Sequence, residues 1–184
     1  MMLTFNFSEF PVLKTERLQL RLAVLSDAEQ VLALRGDELA MKYIPRPRAK
    51  NIADAIAHIE SIKKAVDEGV GINWAICLGS APGAVIGFIG FVNFFKETNG
   101  AEIGYMLHPD FWGRAYVPEA MKAVEKYGFE TLSLSFIEAK IDPANLNSKA
   151  VLLKNGYALD RSEKATFFFE GQYLDTDFYI KNKL

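Results

Sequence analysis

Cysteine is almost missing from this chain: Cys77 stands alone in 184 residues. One thiol excludes an internal disulfide and a multi-cysteine metal site. Histidine is nearly as scarce, and His58 and His108 lie far apart, so no metal site is expected. No apolar run is long enough to span a bilayer. The opening MMLTFNFSEF has neither a positive n-region nor a continuous apolar core, so it does not read as a signal peptide. A cytoplasmic protein is the simplest expectation. Charge of one sign is lacking too: 21 Lys and Arg against 23 Asp and Glu leave a net charge of −2. That gives no general pull toward nucleic acid or an anionic membrane. Repeats, linkers and low-complexity stretches are absent. What remains is an ordinary globular balance, 50% hydrophobic and 24% charged, in a chain long enough for one domain with a sizeable core. Residues 1–184 are expected to form that domain, with 1–12 as an extra edge strand or a tail packing its phenylalanines.

The chain is organised around Ala101–Ala120, AEIGYMLHPDFWGRAYVPEA. Ala101–Leu107 has strand-like apolar composition interrupted by Glu102 and Gly104. Pro109 breaks it and pushes His108 out of helical geometry. From about Arg114 the spacing turns helical, with Val117, Met121 and Val124 in an apolar stripe and Pro118 in the first turn, where a missing N–H costs little. The first amides of a helix have no internal partner and sit at the positive end of its dipole. A phosphate or pyrophosphate satisfies them. Gly113 and Ala115 lack bulk, and Arg114 adds charge. Taken alone, the same pattern also fits an ordinary strand-to-helix turn.

In chain order, Arg17–Leu22 alternates as a half-buried strand, and Ser26-Asp27 signals the cap of a short helix stopping near Gly36. Met41–Lys50 is a basic loop carrying Lys42, Arg46, Arg48 and Lys50, either solvated or flanking an acceptor cleft. Asn51 caps a second helix with Ile52, Ile56, Ile59, Ile62 and Val66 on one face. Asn73–Leu78 and Ala84–Phe95 read as strands, and Thr98-Asn99-Gly100 as the hairpin that returns Ala101–Leu107 antiparallel. Leu132–Ile141 reads as a strand parallel to Ala101–Leu107, because a helix separates them. Asn145 caps a helix through Leu153. Thr166–Phe169 and Asp177–Ile180 make a last hairpin. The order β-α-α, antiparallel meander, β-α-β-α-β-β describes an α/β domain: one mixed sheet with helices on its faces.

WGRAYVPEA resembles the W-G-K-G-Y-x-x-E-A loop and helix start of GNAT N-acetyltransferases. DPANLNSKAVLLKNGY resembles their N-x-x-S…K-x-G-F segment, and TERLQLRLAVLSDAEQVLAL the opening of the ribosomal-protein N-terminal acetyltransferase branch. The three stretches stand in the family's order over roughly residues 15 to 180. The resemblance implies a GNAT-type acyl-CoA N-acyltransferase fold, acetyl-CoA as donor, and direct N-acetylation of a primary amine. A protein N-terminal α-amine is the first-choice acceptor. An aminoglycoside or polyamine is an alternative that an acidic acceptor cleft would favour. A CoA-binding regulatory domain without turnover is another. Neither nucleic acid nor membrane is expected as a partner, and the molecule is expected as a monomer or homodimer.

The same resemblance assigns candidate residues. Leu107, Trp112, Gly113, Arg114, Ala115 and Tyr116 would contact acetyl-CoA, with Asn145, Ser148 and Lys149. Glu102 is the candidate base: an acid among apolar neighbours tends toward a raised pKa, although an ion pair or a solvent-facing position is the alternative. Ser148 is the candidate acid, because Leu152 stands where many members carry a tyrosine. Asn145 would cap its helix and bond the pantetheine amide. Asp110 departs from the family's usual Gln or Arg, and Ala115 replaces a usual glycine. Lys149 or Lys154 would reach a CoA phosphate or remain solvated. Asp175 would order the last hairpin or attract a cationic acceptor. His58 is expected on the side of the second helix, Cys77 in the core, and His108 at the cleft.

Overall fold

The alternation Leu18-Gln19-Leu20-Arg21 becomes a strand whose two leucines are buried. It is the second of eight in one sheet of the computed structural model, which describes residues 5–183. The strands are β1 (Leu13–Lys14), β2 (Leu18–Arg21), β3 (Ile72–Leu78), β4 (Ala81–Phe95), β5 (Gly100–Leu107), β6 (Phe136–Ile141), β7 (Ala158–Phe169) and β8 (Gln172–Asn182). Their spatial order is β1-β2-β3-β4-β5-β6-β8-β7, and only β5–β6 is parallel. The helices are α1 (Ala28–Gly36), α2 (Glu38–Met41), α3 (Ile52–Asp67), α4 (Tyr116–Lys126) and α5 (Leu146–Lys154).

Side-chain alternation along the strands gives the sheet two apolar faces. One packs Val31 and Leu34 of α1 and Ile59 and Ile62 of α3 against Ala75, Phe88 and Met106. The other packs Met121 and Val124 of α4 and Leu152 of α5 against Trp74, Phe91, Ile103, Ile137 and Tyr179. Phe5, Phe7 and Phe10 join this second face as a tail, not a strand: Phe5 lies 4.1 Å from Phe94 and Phe10 meets Trp74 edge-on at 5.8 Å. The Trp74 indole N–H fixes the tail by donating to the Pro11 carbonyl at 2.6 Å. Residues 1–4 of the expected strand or tail lie outside the described residues.

The β5–β6 pair splays. Gly100–Glu102 pairs with Phe136–Glu138, and there the ladder ends. Beyond it β5 continues to Leu107 bonded only to β4, while β6 continues bonded only to β8. A wedge opens with unpaired strand backbone along one side.

Three expectations need correction. β6 begins at Phe136, not Leu132, because α4 runs on through a π-turn at Tyr127–Thr131. Gly128 allows this: a Cβ there would come within 2.6 Å of the Phe91 ring. The last hairpin is far longer than expected, turning at Glu170 (φ +47°) and Gly171 (φ +85°). Asp27 stands at the cap position of α1, but its carboxylate does not bond the helix. It accepts Arg21 Nη1 and Nη2 at 2.8 Å each, and the Val24 amide at 2.8 Å. Asp27 is only 3% exposed. Removing one partner of such a buried pair strands the other charge. Asp27→Ala is therefore expected to lower stability by about 3–5 kcal/mol, measured by urea unfolding; a loss under 1 kcal/mol would make the pair no better than a surface one.

Candidate active site

The loop after β5 is shaped by short-range bonds. Pro109–Phe111 forms a 3₁₀ turn, capped by His108 Nδ1, which accepts the Asp110 amide at 3.3 Å. The Trp112 indole N–H donates to the Leu107 carbonyl at 2.8 Å, drawing the loop back over the strand end. Gly113 (φ +74°) and Ala115 (φ +59°) then take left-handed backbone, and α4 starts at Tyr116, two residues later than its spacing predicts. Left-handed geometry favours glycine at Ala115, where the family usually has it. Among the described residues, no backbone or side-chain acceptor takes the amides of Gly113, Arg114, Ala115, Tyr116 or Val117. A Cβ on Gly113 would meet nothing within 4 Å. Open amides at a helix start, beside open space, form an anion-binding concavity.

A clasp braces this loop from behind. Glu119 Oε1 accepts Thr15 Oγ1 at 2.5 Å and the Arg17 amide at 2.9 Å, while Oε2 accepts Arg17 Nε at 2.6 Å. Arg17 Nη1 donates to the Arg114 carbonyl at 3.0 Å, and its guanidinium sits 4.7 Å from the Tyr116 ring centre. Burial would raise the Glu119 carboxyl, but these bonds from Thr15 and Arg17 outweigh it and hold the group below its ordinary value. The Thr-Glu-Arg stretch of the opening and the Pro-Glu of α4 are thus one unit, which the sequence motifs showed only as separate pieces.

On the opposite face of β5 the parallel register sets Glu102 beside Glu138, with Lys140 one step along. Lys140 Nζ donates to Glu102 Oε2 at 2.7 Å. The apolar surroundings expected for Glu102 are therefore replaced on one side by a cation, while Oε1 keeps no partner among the described residues. Lys140 also approaches Glu138 at 3.9 Å, and Arg161 reaches Glu138 at 3.1 Å while lying 3.7 Å from the Phe178 ring centre.

At the wedge's other wall, Asn145 Oδ1 accepts the Ser148 amide at 3.1 Å and caps α5, as expected. Ser148 is half-buried, with its side chain against the Tyr105 hydroxyl. Leu152 is fully buried core, so no acid could work from that position. Sequence reasoning missed Tyr105. It counted as part of the apolar strand, yet its hydroxyl reaches α5 at the Ser148 carbonyl, 3.5 Å away. Burial pushes this phenol up to about 12, so it stays protonated and able to donate at neutral pH.

The remaining candidates disperse. Arg114 and Lys149 are exposed near the two helix starts, and Lys154 lies in the last turn of α5. The Asp110 carboxylate is 3.6 Å from His108 and mostly solvated, so both serve the local turn. Asp175 orders the hairpin, accepting Lys164 Nζ at 2.6 Å and the Ala165 amide at 3.1 Å. Cys77 is buried, as expected, and burial raises its thiol against the opposing effect of Arg21. His58 sits edge-on to Phe88, 5.5 Å between ring centres. Burial and the Arg35 charge lower it to about 4, so it is neutral. The basic loop does flank the Glu102 face. Arg46 lies 6.0 Å from the ring centre of Phe167 on β7. Phe167 pairs with Leu174, which shares its side of β8 with Phe178. No helix among the described residues is long and apolar enough to cross a membrane.

A wedge of unpaired strand, closed at one end by open helix amides, suits a long amide-bearing thioester with a pyrophosphate tail. That defines an acyl-CoA-dependent transferase. A family model described as an acetyltransferase (GNAT) domain matches residues 17–158, and the chain belongs to this family: it is an N-acetyltransferase with acetyl-CoA as donor. It is 32% identical to the N-acetyltransferase YoaA of Bacillus subtilis over 170 residues, covering 92% of this chain and 96% of that one. It is 34% identical to the N-acetyltransferase p20 of Bacillus licheniformis over 140 residues, 76% and 78% of the two chains. The fold matches a GNAT acetyltransferase from Bacillus anthracis with a TM-score of 0.82, 28% identity, and coverage of 94% and 98%. It also matches a ribosomal L7/L12 α-N-protein acetyltransferase, RimL, in complex with coenzyme A, with a TM-score of 0.83, 19% identity, and coverage of 94% and 98%.

Proposed function

We propose that the acceptor is a protein N-terminal α-amine, of the kind the RimL name describes, and that the acetyl group passes to it directly. The observation that carries this reading is the sign of charge along the acceptor side. Arg35, Arg46, Arg48 and Lys50 bring positive charge to the loop edge, which repels polyamines and aminoglycosides. An α-amine brings one charge, with a pKa of roughly 7.7–8.0 against about 10.4 for lysine. A sizeable share of it is already neutral near pH 7.5 and ready to attack, and the proton its nitrogen sheds on acylation is the one left to a base. A cytoplasmic location goes with this reading, since new protein N-termini are made there.

Acetyl-CoA, when bound, supplies the activated acyl group. The amides of Gly113–Val117 would hold its diphosphate, with Trp112 and Arg114 alongside. The free edge of β5 up to Leu107 and the side chain of Asn145 would lie along the pantetheine, and Lys149 near its phosphates. Glu102 would take the ammonium proton on its open Oε1, directly or through one water, while Lys140 holds Oε2 in place. Ser148 and Tyr105 would donate hydrogen bonds where the thiolate charge develops. A thiol has an ordinary pKa of about 8.5, so this help is moderate. Ser148→Ala and Tyr105→Phe are each expected to slow transfer by up to about 10²-fold. With a synthetic acetyl thioester of low-pKa thiol both should be slowed much less. Equal slowing with both donors would make these residues positional only.

An acceptor screen reading CoA-thiol release tests the reading. Peptides with a free N-terminus should turn over, and the same peptides blocked at the N-terminus but carrying lysine should not. Faster turnover of spermidine or an aminoglycoside would contradict it. Acetyl-CoA binding with no turnover of any amine would indicate the regulatory alternative.

A further inference from the structure

The acceptor side holds more than a repulsive rim. A pocket of about 480 Å³ lies between α1, α3 and the basic loop, lined by Arg35, Arg48, Lys50, Asp54 and His58 among others. It carries three cations against one carboxylate, in a chain of net charge −2. That carboxylate is already engaged: Asp54 Oδ2 accepts the Lys50 amide at 2.7 Å. Arg35 is half-buried, and its guanidinium has neither an ion-pair nor a hydrogen-bond partner among the described residues. Arg48 has only a loose approach to the exposed Glu38, at 3.7 Å. Unpaired, partly desolvated guanidinium donors are costly unless an acceptor arrives. His58 walls the pocket as a neutral imidazole, edge-on to Phe88, and Phe88 pairs with Met106 of β5. Met106 shares a strand face with Glu102, so the pocket lies on the side of the sheet where the acceptor amine would be deprotonated. Beyond the pocket, Arg46 reaches Phe167 and carries the same loop across to the last hairpin.

We propose that the Arg35–Arg48–Lys50 pocket binds an anionic group of the acceptor, a carboxylate or phosphate, while its amine lies toward Glu102. This rests on the acceptor being an amine bound on the Glu102 face. In the N-terminal reading the anion is an acidic side chain a few residues after the α-amine. In a small acceptor it would be a phosphate carried by the amine itself. Planar guanidinium donors match both groups in a bidentate manner.

The test compares matched acceptors by CoA-thiol release: a peptide with Asp and Glu after its free N-terminal Ser against its Asn and Gln twin, and phosphoethanolamine against ethanolamine. The anionic member of at least one pair should be favoured by about 10- to 100-fold in kcat/KM. Added salt should shrink that ratio. Arg48→Gln with Lys50→Gln should bring it within about threefold of unity, and both sites are exposed enough to leave the melting temperature near that of the wild type. Arg35→Gln should do the same, checked against its own melting temperature because this residue is half-buried. Inorganic phosphate should compete with the anionic acceptor and lose that competition in the double variant. Equal rates within both pairs would overturn the proposal, as would a preference that survives the double variant. Peptides acetylated regardless of charge, with phosphoethanolamine no better than ethanolamine, would defeat the anion pocket and leave the N-terminal reading intact. A preference for phosphoethanolamine with no peptide turnover would do the reverse, and no turnover of any acceptor would defeat both.

Discussion

Gly113→Glu abolishes the stabilisation that acetyl-CoA gives the wild-type protein. At a ligand concentration about 100-fold above Kd, selective binding to the native state is worth roughly 2.7 kcal/mol. For a chain of this size that raises Tm by roughly 5–10 °C. The substitution puts a carboxylate into open space beside amides that otherwise face a diphosphate. Like charge then opposes binding where a helix start favoured it. Glutamate also strains the backbone at φ +74°, so the variant's own Tm is expected to fall. Gly113→Ala carries the same strain without the charge. It should keep most of the ligand shift. If Gly113→Glu folds and acetyl-CoA stabilises it as much as the wild type, the cradle lies elsewhere.

Glu102→Gln lowers kcat by roughly 10²–10⁴-fold, the usual range for losing a general base. The amide keeps the shape and can still accept a bond from Lys140, but it cannot take the amine proton. Acetyl-CoA binding should be little changed, since Glu102 faces away from α4 and α5. A plain loss of the Glu102–Lys140 pair would instead appear as lower stability with kcat retained. The pH–rate profile separates the two outcomes, because the limb belonging to the enzyme's base should vanish in the variant. Identical profiles in wild type and variant would remove Glu102 from that role.

The stretch from Ala101 to Ala120 was legible because each of its turns has a local cause. Pro109 stops the strand, Gly113 admits left-handed backbone, and Pro118 fits only a first helical turn. The apolar spacing places the helix start two residues early because Ala115, an ordinary helix former, is held left-handed by the loop. The caps at Asn51 and Asn145 were legible for the same local reason. The full length of the β7–β8 hairpin is not legible in the sequence because β7 is exposed along almost its whole length, so no hydrophobic alternation marks it. What escaped the sequence was pairing at a distance. Glu102 and Lys140 meet only through the parallel register. Arg17 and Glu119 meet only when β2 and α4 pack. Asp27 carries a cap signature that holds equally for a residue spent on Arg21. Tyr105 looks like strand filler until α5 is laid beside it.

Amide hydrogen exchange at Gly113, Arg114, Ala115, Tyr116 and Val117, with and without acetyl-CoA, tests the central claim most directly. These amides have no acceptor among the described residues and should exchange fast in the free chain. Bound acetyl-CoA should slow them selectively, together with the free edge of β5 from Ile103 to Leu107. Unchanged exchange at all five, with protection appearing in another segment, would contradict the account.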